Sequence, residues 1–277
     1  MADRLSTIDL TIGYGENIIV DNLNLTVPNG KITALVGANG SGKSTILKTM
    51  ARIMNPINGG VMLDGQMIHR KSTKEVAKEL AILPQNPAAP DGLTVYELVG
   101  YGRYPHQTGL GTMTKEDRKV IQWAIKVTGM TEFYDRAVDQ LSGGQRQRAW
   151  IAMALAQQTN ILFLDEPTTF LDMAHQLEVL KLLQKLNEEE QRTIIMVVHD
   201  LNHAARFAHH MVAIKSGMVV SAGTPEEVVT SDVLRKVFAI EADIITDPRT
   251  NSPLCLPYAL VDGAEKEQVE LKVSAAV

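Results

Sequence analysis

Polar positions all but vanish from the chain in three short stretches, Ile32–Val36, Ile161–Leu164 and Thr193–Val198. Unbroken apolar runs of this length predict strands buried on both faces, as in a parallel sheet. Leu80–Leu83 is a fourth such stretch, ending at Pro84-Gln85. Residues 4–12 and 18–27 predict strands around a Gly13-Tyr14-Gly15 turn, with a Pro28-Asn29-Gly30 turn after them. Residues 61–68 predict a short strand, Thr73–Glu79 an amphipathic helix, and residues 213–222 a strand–turn–strand through Lys215-Ser216-Gly217, after which Pro225 starts a helix.

The pattern changes between Asn86 and Asp139. Prolines at 87, 90 and 105 and the run Gly100-Tyr101-Gly102-Arg103-Tyr104-Pro105-His106 precede helical periodicity over 115–128. A second helix opens after Leu141-Ser142-Gly143-Gly144-Gln145 and runs to about Gln158, with Ser142 as its N-cap. This part predicts a helical insertion in an α/β chain. No internal repeat is apparent.

With 277 residues, 45% of them hydrophobic, the chain can build one large or two modest domains around a real core. No apolar run approaches the roughly 18 residues needed to cross a bilayer, and Met1-Ala2-Asp3-Arg4 leads into a strand rather than a secretion signal. A cytoplasmic location is expected unless something membrane-bound holds the protein. The single cysteine, Cys255, excludes an internal disulfide and reads as a small hydrophobe. A net charge of −5 gives no reason to expect nucleic acid as a partner, and His69-Arg70-Lys71 reads as solvated surface.

Chemistry gathers where the strands end. Gly37-Ala38-Asn39-Gly40-Ser41-Gly42-Lys43-Ser44-Thr45, between the 32–36 strand and a helix, is a Walker A phosphate-binding loop. Its glycines let backbone amides wrap phosphate, Lys43 reaches the β- and γ-phosphates, and the Ser44 hydroxyl ligates Mg²⁺. Asp165-Glu166, two acids at the end of a core strand, form the Walker B element. Asp165 is expected to help hold Mg²⁺ through water, and Glu166 to orient or deprotonate the attacking water. Gln85 is placed to touch both metal and water, His199 to meet the γ-phosphate, and Tyr14 to stack on a base. His203 lies one helical turn beyond His199, but zinc would want a third ligand at recognisable spacing. Ser142, Gly143, Gly144 and Gln145 begin a second helix suited to phosphate. One Walker loop and one such helix either enclose a single nucleotide within the chain or are exchanged between two chains.

Taken together, these residues resemble the nucleotide-binding subunits of ATP-binding cassette transporters, through about Leu260. Leu141–Gln145 matches the signature of that superfamily, Gln85 the Q-loop, Phe170-Leu171-Asp172 the D-loop and His199 the switch histidine. Residues 102–106 and 167–176 look like those of bacterial importers for iron–siderophore complexes, with vitamin B12 and haem importers close by. The resemblance implies a RecA-like P-loop NTPase core with an N-terminal antiparallel β subdomain and an inserted helical subdomain. The implied bounds are 4–240 for the ATPase domain, with about 86–160 inserted, then 241–260 as a C-terminal extension; the family pattern does not cover 261–277, whose charged composition, low in large apolar groups, predicts a mobile tail. It further implies ATP and Mg²⁺ as ligands and a head-to-tail homodimer with Asp172 at the shared site. It places the chain at the cytoplasmic face of the membrane, on permease subunits served by an extracytoplasmic binding protein.

Overall fold

The computed structural model describes residues 4–107 and 112–261. In chain order the elements are β1 (Leu5–Tyr14), β2 (Asn17–Leu23), β3 (Thr26–Val27), β4 (Ile32–Val36), α1 (Lys43–Met50), β5 (Asn58–Leu63), β6 (Gln66–Met67), α2 (Thr73–Glu79), β7 (Leu80–Leu83), α3 (Val95–Tyr101), α4 (Lys115–Val127) and α5 (Gly143–Ala156). The second half holds β8 (Ile161–Asp165), α6 (Met173–Glu190), β9 (Thr193–Val197), α7 (Leu201–Phe207), β10 (His210–Lys215), β11 (Met218–Gly223), α8 (Pro225–Val228), α9 (Ser231–Phe238), β12 (Ile240–Thr246) and β13 (Pro253–Leu260).

A six-stranded sheet in the order β11-β10-β4-β9-β8-β7 forms the centre, parallel except for the β11 edge. Every residue of β4, β8 and β9 is buried, and strand alternation explains why. Ala34, Leu162, Leu164, Ile194 and Met196 pack with residues of α3 to α7 and α9. Leu35, Phe163, Ile195 and Val197 point the other way, onto Ile46, Leu47 and Met50 of α1 and onto Leu10, Ile12, Val61 and Leu63 of the small antiparallel sheet. That second sheet has five strands, in the order β2-β1-β5-β6 with β3 also on β1. The central strands are therefore apolar throughout because both faces are covered.

Two strand expectations need correcting. The 61–68 strand is interrupted by a hairpin turn at Asp64 (φ 52) and Gly65 (φ 74), the doubly left-handed geometry that Asp-Gly favours. The 18–27 strand is broken after Leu23, where the Thr7 hydroxyl donates to Leu23 O at 2.8 Å and accepts Leu25 N at 2.9 Å in place of the ladder. Residues 213–222 do fold back on themselves, through Ser216 (φ 48) and Gly217 (φ 78), but β10 already begins at His210.

The helical segment after β7 packs as α3, α4 and α5. Its centre is the buried pair Arg103–Asp117 at 2.8 Å, with Arg103 Nη1 also donating to Ala156 O at the end of α5. Burial pushes the Asp117 carboxyl up, but bonds from Thr114 and Arg103 outweigh it and hold the pKa down at about 2. The β12–β13 hairpin is tied to α7 by Asn202, whose side-chain amide exchanges two hydrogen bonds with the Cys255 backbone. The mobile-tail expectation lies outside the described residues except at Val261, which is buried and donates its amide to Ala239 O. No helix among the described residues is long and apolar enough to cross a membrane.

Candidate functional site

The C-terminal ends of β4, β7, β8 and β9 lie side by side in the parallel sheet, where α/β proteins hold their ligands. The chain leaves β4 through Gly37 (φ 151), where a Cβ would stand 2.1 Å from Ile214 O, so only glycine fits. α1 then starts behind Gly42 with no side-chain cap, which leaves its first-turn amides for a ligand. The loop is braced from behind by Gly217 N, which donates to Ser41 O at 2.9 Å. Lys43 folds back and donates to Gly37 O and Ala38 O, each at 2.8 Å. Burial pushes its pKa down, against the opposing pull of Glu166 and Asp165.

Asp165 is buried beneath the loop, where its Oδ1 accepts the Ser44 hydroxyl at 2.7 Å. Its Oδ2 has no hydrogen-bond partner and lies 3.5 Å from Lys48 Nζ. A buried, unsatisfied carboxylate oxygen beside a serine hydroxyl is a donor set that suits a small hard cation such as Mg²⁺.

Glu166 follows in the left-handed region (φ 56). Its Oε2 accepts Gln85 Nε2 at 2.5 Å and Thr169 Oγ1 at 3.0 Å, and its Oε1 lies 2.6 Å from His199 Nε2. Three strand ends are thus joined through one carboxylate. His203, by contrast, turns its ring edge-on to Phe207, with centroids 6.4 Å apart.

Gln85, Glu166 and His199 line one cavity of about 560 Å³ together with Tyr14, Ile19 and the 39–45 segment. Tyr14 is 57% exposed at its mouth, with its hydroxyl on Met54 Sδ at 3.2 Å. Ile19 and Thr169 are the neighbours that sequence reasoning missed. Ile19 looked like any strand residue, whereas Thr169 stands three positions after Glu166, the spacing of a tight turn.

Ser142, Gly143, Gly144 and Gln145 lie elsewhere and line no part of the cavity. Ser142 caps α5 and shares a capping box with Gln145. A Cβ on Gly144 would lie 2.4 Å from His175 Cδ2. Asp172 caps α6 and accepts both the amide and the ring Nδ1 of His175, chiefly the first of which holds its carboxyl below the usual range. Within one chain, then, the two phosphate-suited helix starts do not enclose one nucleotide.

Residues 20–169 match the family model described as ABC transporter. The chain is 61% identical to the iron(3+)-hydroxamate import ATP-binding protein FhuC of Bacillus subtilis (strain 168), over 96% of this chain and 99% of that one. Among solved structures, a chain from an inward-facing conformation of an ABC transporter superposes with a TM-score of 0.81 at 27% identity, covering 93% of this chain and 98% of that one. The dimeric bacterial ABC transporter cassette MJ0796 gives a TM-score of 0.71 at 32% identity over 79% of this chain and 98% of its own.

Proposed function

The chain belongs to the ABC transporter family and hydrolyses ATP, and from that premise we propose that it powers uptake of a ferric-siderophore complex through a separate membrane permease. The observation that carries the reading is the meeting of Glu166, His199 and Gln85 over the Lys43 loop, in a chain so similar to a ferric-hydroxamate import subunit.

The residues take these parts. Tyr14 stacks on adenine, and the amides of Gly37, Asn39, Gly40, Ser41, Gly42 and Thr45 wrap the phosphates that Lys43 pairs with. Ser44 and Gln85 would hold Mg²⁺ directly and Asp165 through water, and the ion would supply neutralisation of the charge on the phosphates. Glu166 accepts a proton from water as the water oxygen bonds to the γ-phosphorus. The bond to the β–γ bridging oxygen breaks, giving ADP and inorganic phosphate. His199 steadies the γ-phosphate.

The isolated signature helix gives the second half of the proposal. Ser142, Gly143, Gly144 and Gln145 of one copy close over the nucleotide of a second copy arranged head to tail, with Asp172 at the seam. ATP favours the closed pair, and its hydrolysis releases it. The motion is delivered to a permease on the cytoplasmic face, which an extracytoplasmic binding protein supplies.

The test is to purify the chain with its permease and binding protein and assay vesicles for ATP-driven uptake of ferric siderophore. Uptake that requires all the components and stops with Glu166→Gln is expected. Retention of a different solute by the binding protein, or stable association with ribosomes or DNA and not with membranes, would overturn the reading.

A further inference from the structure

Glu166 opens a turn that closes on itself twice. Its backbone O accepts Thr169 N at 3.3 Å, and its side-chain Oε2 accepts the Thr169 hydroxyl at 3.0 Å. The other donor to Oε2, Gln85, is 81 residues away in sequence, at the start of the connection into the helical insertion. His199, beside Oε1, lies beyond the end of β9. In the proposed function both Gln85 and His199 have business with the nucleotide and its metal. Thr169 has none, and it travels with Glu166 because one short turn contains both.

We infer that Thr169 is a positioning residue for hydrolysis. Its hydroxyl pins Oε2 of Glu166, so that Oε1 remains directed into the cavity when Gln85 and His199 turn toward their ligands. The carboxylate is only 10% exposed and its backbone is left-handed, so few other orientations would keep it facing water. A hydroxyl donor three residues away fixes the direction without blocking the oxygen that does the chemistry. The inference rests on the reading of Glu166 as the group that activates water.

The experiment compares Thr169→Val, Thr169→Ala and Thr169→Ser in the full-length chain, measuring ATP hydrolysis, KM and thermal unfolding. Loss of one hydrogen bond to a charged group predicts a kcat lower by about tenfold in Thr169→Val and Thr169→Ala, with KM within about twofold of the parent. Thr169→Ser restores the rate, because it restores the donor. The inference is overturned if Thr169→Val hydrolyses at the parent rate, if the loss falls on KM instead, or if the serine variant is as slow as the valine one. Valine nearly matches threonine in shape but lacks the donor, so a lowered unfolding temperature in Thr169→Val is compatible with the inference, whereas one lowered equally in Thr169→Ser, with the rate not recovered, would assign the side chain to packing and also overturn it. A parent chain that hydrolyses no ATP would instead sink the function proposed above, which separates the two failures.

Discussion

α1 and α5 both begin at glycine-rich turns that suit phosphate, yet the chain finishes them differently. α1 starts behind Gly42 with no side-chain cap and opens onto the cavity. α5 starts behind Ser142, which accepts Gln145 N at 3.3 Å while the Gln145 side chain accepts Ser142 N at 3.1 Å. The first helix leaves its early amides for a ligand, whereas the second has already satisfied part of its own end. A helix start alone does not make a nucleotide pocket. The surrounding strand ends give α1 a cavity, whereas α5 lines no part of it.

The sharpest break between the two regions should come from Glu166→Gln. The amide cannot take the proton, so hydrolysis should fall by about 10²- to 10⁴-fold while ATP affinity survives, as measured by phosphate release against equilibrium binding. Arg103→Met attacks only the α5 side. It leaves Asp117 buried without its cation and frees Ala156 O, which should cost about 3 kcal/mol in urea unfolding with ATP affinity unchanged. Gly144→Val drives a side chain into His175 and should slow hydrolysis about tenfold by misplacing the helix start, again without loss of single-chain ATP binding. Equal loss of binding in either variant would dissolve the distinction. Ser142→Ala, which removes the cap, should cost about 1 kcal/mol. Acid provides the mildest probe. Because the Asp117 pKa is lowered from 3.8 to about 2, its stabilising contribution is complete above pH 4 and drains away as pH falls through about 2. Thermal unfolding of the parent should therefore lose its margin over Asp117→Asn across that interval.

Much of the site was legible because phosphate chemistry demands particular residues in fixed order. Lys43 and Ser44 after a last glycine, and Asp165-Glu166 after an apolar strand, could be read without coordinates. The apolar runs gave the buried strands for the same reason. What stayed hidden was set by contacts distant along the chain. Leu23 ends its strand because of Thr7, and the mutual placement of Gln85, Glu166 and His199 follows only once β7, β8 and β9 are neighbours. α6 carried a usable signal in Val179, Leu180, Leu183 and Leu186 behind the Asp172 cap, whereas β13 is apolar enough for a strand but contains Pro253 and Pro257, residues that argue against one.

Asn202 stands three positions after His199 and grips the backbone of Cys255 from both sides. Cys255 is also the chain's sole thiol, and it is shielded from solvent. The molecule thus carries its own stopwatch: the pace at which an alkylating reagent consumes that sulfur counts how often the hairpin lets go of the helix downstream of the histidine, with no label introduced.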